Sequence, residues 1–125
     1  MAAGLTQLKI LADNPSFYDE LNKKSDEFYK KAEKVLAESG VPCRLNHLGS
    51  LGCVFFTPQN VIDYESAKTA DTQAFREYFK YMLQSGVHLA PAQFEAMFIS
   101  DAHDEVSLDK TLGLMKEYFN SRYQK

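Results

Sequence analysis

GVHLAPAQFEAMFISDAHDE, residues 86–105, carries one proline and two short apolar runs with almost no turn chemistry between them. Alternation along FEAMFIS sends Phe94, Ala96 and Phe98 to one face and Glu95, Met97 and Ile99 to the other. With the phenylalanine face turned to the core, Glu95 stands beside Met97 on a face that is otherwise apolar. Two accounts fit such an acid. It either faces water on an edge strand, where a charge blunts aggregation, or it points across an interface at a cation, since an isolated buried charge would be neutralised or expelled.

Outward from this stretch, Val87–Leu89 and Phe94–Ser100 read as short strands separated by the Ala90, Pro91, Ala92 break. Upstream, Thr72–Ser85 places Phe75, Tyr78, Phe79, Met82 and Leu83 at the i, i+3, i+4, i+7, i+8 spacing of a helix that Gly86 ends. Cys43–Leu48 and Leu51–Thr57 read as a hairpin around Gly49 and Ser50, closed by Pro58. A long helix runs from Pro15, its N1 residue after Asn14 as N-cap, to Ser39, with Phe17, Leu21, Phe28, Ala32, Val35 and Leu36 as its apolar stripe. Gly40 and Pro42 stop it. Before it, Leu5, Leu8 and Leu11 mark a short uncapped helix over 1–12. Downstream, Asp104 caps a helix from Glu105 to Tyr123 that buries Leu108, Leu112, Met115 and Phe119. The polar NVIDYESAKTAD segment reads as a connection. The order predicts an α+β fold: a small, mainly antiparallel sheet packed with helices.

The chain has 125 residues, 45% hydrophobic and 25% charged, which suits one compact unit. Its formal net charge of −3 gives no basic footprint for nucleic acid or an anionic membrane. No run approaches the ~20 apolar residues of a membrane span, and the opening residues are too polar for a signal peptide. Cys53 is expected opposite Asn46, which leaves Cys43 too far along, and on the other face, for a bridge. Reduced thiols and a cytoplasmic setting are the expectation.

No phosphate-cradling motif occurs. His47, His88 and His103 lack ligand spacing, so no metal is expected. Cys53 with His47 could be drawn as a nucleophile pair, but a cysteine inside an apolar strand reads as an inert core thiol. The lysines fall on charged helix faces, with Lys23, Lys24, Lys30, Lys31 and Lys34 interleaved with acids as a solvated flank; Lys125 is terminal. None has the desolvated pocket that a Schiff-base lysine needs.

Residues 86–103 resemble a signature of the glutamate-1-semialdehyde 2,1-aminomutases that runs like G-[IV]-Y-L-A-P-S-x-F-E-A-G-F-x-S-x-A-H. GSLGCVFFT, VIDYESAKTADTQAFREYF and MAAGLTQLKIL are similar to further stretches of that family. The resemblance extends over essentially the whole chain but over only about the last third of a family member. It implies the C-terminal small domain of a fold-type-I pyridoxal-phosphate enzyme, with residues 1–14 a connector helix from a missing large domain and 15–125 the small domain. It further implies a parent that converts glutamate 1-semialdehyde to 5-aminolevulinate for tetrapyrrole synthesis, as a cytoplasmic homodimer. The Schiff-base lysine and the phosphate site would lie in the large domain, so this chain by itself is expected to bind no cofactor and to be inactive.

By the same resemblance Glu95 is a substrate-side residue, near an arginine of the N-terminal region that recognises a substrate carboxylate. No catalytic, cofactor-binding or metal residue is assigned. Gly49 and Ser50 are assigned no more than a tight turn. With the large domain absent, Met97 and Ile99 are expected to form an open apolar patch around a solvated Glu95. Met97 replaces the family's usual glycine, His88 its frequent tyrosine and Asp104 its Thr or Ser. A related aminotransferase with another substrate, or a stand-alone α+β binding module without catalysis, are the alternative readings.

Overall fold

The computed structural model describes residues 1–123. Eight elements follow one another: α1 (Ala2–Asp13), α2 (Phe17–Ser39), β1 (Arg44–Leu48), β2 (Leu51–Phe55), α3 (Tyr64–Ala67), α4 (Thr72–Gln84), β3 (Met97–Phe98) and α5 (Glu105–Tyr123). The strands form one antiparallel sheet in the order β1-β2-β3, packed with helices in the expected α+β manner.

The long amphipathic α2 supplies the central surface. Leu21, Phe28, Tyr29, Ala32 and Leu36 are buried along it, and they share one core with Phe75, Tyr78 and Met82 of α4 and Leu112, Met115, Tyr118 and Phe119 of α5. Phe56, just beyond β2, joins the layers: its ring lies 6.2 Å from Phe75, 5.7 Å from Tyr78 and 6.0 Å from Phe119. Gly40 ends α2 in the left-handed conformation, φ 67°, as its place in the sequence predicts. Asp71 and Asp104 cap the two later helices. The first accepts from the Gln73 and Ala74 amides at 2.9 and 3.0 Å, the second from the Ser107 amide at 2.8 Å.

Several expectations are corrected. Pro15 is not the N1 residue of α2: Pro15 and Ser16 form a turn closed by Phe17 N–H to Asn14 O at 3.1 Å, and the helix starts at Phe17 behind Ser16. Asn14 instead finishes α1, donating from its side chain to Ile10 O at 2.8 Å. The NVIDYESAKTAD connection contains the short α3, set by a capping box in which Asp63 and Ser66 satisfy each other's amides. Val87–Leu89 is not a strand; the Val87 amide bonds back to Met82 O at 2.8 Å and, with Gly86 N–H to Leu83 O at 3.0 Å, closes the end of α4.

The Phe94–Ser100 strand shrinks to Met97 and Phe98, and its faces are reversed. Ile99 is buried at 6% exposure while Phe94 and Phe98 are 52% and 64% exposed. Register explains the reversal. Phe98 lies opposite Leu51 and Met97 opposite Gly52, and Gly52 is the position over which the Tyr29 ring sits. The inner face therefore takes Met97 and Ile99.

The helix α1 buries no residue. Leu5, Leu8 and Ile10 are all more than half exposed, so among the described residues nothing covers that side of the helix. Among the described residues no helix is long and apolar enough to cross a membrane.

Candidate functional site

The site grows from the hairpin. Its register places Asn46 opposite Cys53 and His47 opposite Gly52, so His47 and Cys53 belong to opposite faces and do not form a nucleophile pair. His47 stacks on Tyr29 at 4.7 Å. Burial pushes the Cys53 thiol up to about 11, against the Gln93 hydrogen bond that lowers it, and its Sγ lies 3.3 Å from Gln93 O. A thiol so poised is a poor nucleophile. Both cysteines are free, and Cys43 is buried.

Gly49 and Ser50 do more than turn the chain. Gly49 adopts φ 54°, and a β-carbon there would meet Asn22 Oδ1 at 2.8 Å. The Ser50 carbonyl accepts from Tyr29 Oη at 3.1 Å and from the Ile99 amide at 2.9 Å. The turn thus fastens α2 and the end of β3 to each other.

Glu95 lies in the turn just before β3 and is exposed; its amide donates to Ala92 O at 3.1 Å. The expected apolar companions are replaced by others. Leu48, Leu51 and Phe98, at 84%, 44% and 64% exposure, sit side by side across the outer face of the three strands, and Phe94 is exposed next to Glu95. The carboxylate is therefore presented to solvent beside an open aromatic and aliphatic row.

The residue that sequence reasoning missed is Gln93. It is only 3% exposed, and its side-chain amide bonds the backbone of the β2 segment on both sides of Phe55. Nothing in the sequence marks it, because a glutamine between the Ala90–Ala92 break and FEAMF looks like any other loop residue.

Past β3, Ser100 donates from its amide to His103 Nδ1 at 2.9 Å, which leaves Nε2 as the protonated nitrogen of the neutral ring. Lys24 reaches the same loop, donating to Asp101 O at 2.9 Å and His103 O at 3.1 Å, with the Asp101 carboxylate 3.7 Å away. It is a latch from α2 to the loop and not part of a solvated flank. His88 lies against Phe79 at 6.1 Å, so the three histidines occupy unrelated settings. Among the described residues no group of three or more metal-ligating side chains is close enough to hold an ion.

The chain's lysines do not fit a pyridoxal-phosphate anchor. Every described lysine but Lys24 is exposed, and Lys24 is taken up by carbonyls; Lys125 lies outside the described residues. What the arrangement offers is an acceptor carboxylate and an apolar surface, not a nucleophile with its base.

No family model matches the chain. Among curated proteins it is 47% identical over 121 residues to glutamate-1-semialdehyde 2,1-aminomutase 1 of Lachnoclostridium phytofermentans, covering 97% of this chain and 28% of that protein. Further aminomutases of that name match at 40–45% identity. Among solved structures it resembles an omega-transaminase from Sphaerobacter thermophilus, with TM-score 0.78 and 20% identity over 98% of this chain and 27% of that one. A transaminase with PLP bound matches with TM-score 0.72 and 18% identity over 98% and 27%. At those identities the structures speak for the fold. By sequence the chain belongs with the glutamate-1-semialdehyde 2,1-aminomutases, as a segment spanning just over a quarter of the length of the relatives it matches.

Proposed function

We propose that this chain is the C-terminal small domain of an enzyme that converts glutamate 1-semialdehyde to 5-aminolevulinate. The observation that carries the reading is the 47% identity over 97% of the chain. Pyridoxal phosphate would supply the amino-transfer chemistry, held by residues of the remaining sequence, because no described lysine here fits it. Residues 1–14 then act as the connector and 15–125 as the small domain, in a cytoplasmic homodimer.

The part of this chain is to close one side of the substrate cleft. Glu95 is the substrate-side group, a carboxylate aimed at an arginine of the N-terminal region, and the Leu48, Leu51 and Phe98 row together with the uncovered side of α1 forms the surface that meets the rest of the enzyme. Dehydration at that contact strengthens the Glu95 pair, since a charge-assisted bond gains as solvent leaves.

The test is a chimera in which this segment replaces the matching 121 residues of the 47%-identical relative. Glu95→Gln in it should raise KM about tenfold, as expected for losing a charged hydrogen bond of roughly 1.5 kcal/mol or more. An unchanged KM would remove Glu95 from the substrate side.

A further inference from the structure

The even-numbered residues of the β2 segment turn their backbone groups toward β3. Ser50 O accepts from the Ile99 amide at 2.9 Å, and Gly52 pairs with Met97. There the partner strand stops. Val54 and Phe56 point off the same edge, because residues two apart in a strand share an edge, and a full-length β3 would have met them. Phe56 O is taken by the Asp71 amide at 2.9 Å. Val54 O and Phe56 N are met by a side chain instead: Gln93 Nε2 donates to Val54 O at 2.7 Å, and Gln93 Oε1 accepts from Phe56 N at 3.3 Å.

One primary amide, carrying a donor and an acceptor in one plane, thus does the work of a strand's peptide groups. Its own carbonyl receives the Cys53 thiol at 3.3 Å, so both ends of the residue are tied to β2. Two residues later comes Glu95, whose amide bonds back to Ala92 O across Gln93 itself.

The geometry points to Gln93 as a positioning residue: its buried amide replaces the missing length of β3, fixes the 92–95 turn and so sets where the Glu95 carboxylate is presented. This rests on the substrate-side reading of Glu95. It adds that the precision of that carboxylate is set from β2, through a side chain that touches no substrate. Without that anchor an exposed turn would sample many directions, and a misplaced binding group weakens substrate binding.

The test has two arms, amide exchange on this chain and kinetics on the chimera described above. In Gln93→Met, exchange at the Phe56 and Glu95 amides should accelerate at least about tenfold while β1 amides stay unchanged. In the chimera the same substitution should raise KM severalfold with kcat within about twofold, and should add nothing further in a Glu95→Gln background, as coupled residues do. Unchanged exchange at Glu95 overturns the proposal, and so do KM effects that simply multiply in the double variant. If Gln93→Met fails to fold, Gln93→Glu keeps the length and the acceptor for Phe56 N, and must show the same selective loosening at Glu95; uniform loosening overturns the proposal. A Glu95→Gln chimera with normal KM refutes the reading of Glu95 and with it any kinetic role for Gln93, a result distinguishable from the first because exchange would still report a loosened turn.

Discussion

The ring edge of Tyr29 fills the space that a β-carbon on Gly52 would need: such an atom would lie 2.5 Å from Tyr29 Cζ and 2.6 Å from its Oη. The ring has nowhere to go, since its hydroxyl donates to Ser50 O and its face stacks on His47. Burial, with a smaller push from Cys53, raises the hydroxyl to about 12, so it remains a donor throughout the ordinary pH range. Gly52→Ala should destabilise the chain by about 1–3 kcal/mol through overpacking, and truncating the ring in a Tyr29→Ala background should remove most of that increment. Denaturant melts of the two single variants and the double variant would measure it; strictly additive losses would show that the close approach is not the cause.

Two helix-capping carboxyls predict the acid limb of stability. Asp63 is held below the usual aspartate value by hydrogen bonds from the Ser66 side chain and then its amide, and Asp104 likewise by Ser107. A folded-state value below the unfolded one near 3.9 means that the contribution is complete above that unfolded value and is lost as pH falls through the folded one. The melting temperature should therefore drop below about pH 4, and less steeply in an Asp63→Asn, Asp104→Asn double variant, whose caps do not titrate. Superimposable acid limbs would contradict this.

Glu95 and Phe98 should be nearly silent in the stability of this chain, because both face solvent. Glu95→Gln and Phe98→Ser are each expected to change the unfolding free energy by no more than about 0.5 kcal/mol. Chemical denaturation checks this, and a loss above about 2 kcal/mol in either would make that residue part of the folded unit instead of its docking face.

Local chemistry made most helices legible in the sequence. The α4 spacing, the Asp104 cap, the Gly40 stop and the hairpin register with Asn46 opposite Cys53 all depend on neighbours a few residues apart, and all appear in the structure. The 94–100 stretch was misread because alternation assigns faces only once a strand exists, and here the strand begins at Met97, after the turn that carries Glu95. Which parity faced inward was decided by Gly52 and Tyr29, residues far away in sequence. Lys24 was misread for the same reason: the carbonyls it binds lie 77 and 79 residues away. Gln93 was invisible because a glutamine in a loop gives no sign that two backbone groups of another strand await it. Alternation singled out Glu95 and a family resemblance supplied its role; the fold adds its exposed position in the turn before β3.

The most direct test of the account is whether this segment can serve as the small domain of an aminomutase. The chimera carrying it in the 47%-identical relative should bind pyridoxal phosphate and form 5-aminolevulinate from glutamate 1-semialdehyde with kcat/KM within about tenfold of that relative, a difference of about 1.4 kcal/mol. A soluble, folded chimera that binds the cofactor yet forms no 5-aminolevulinate would contradict the account.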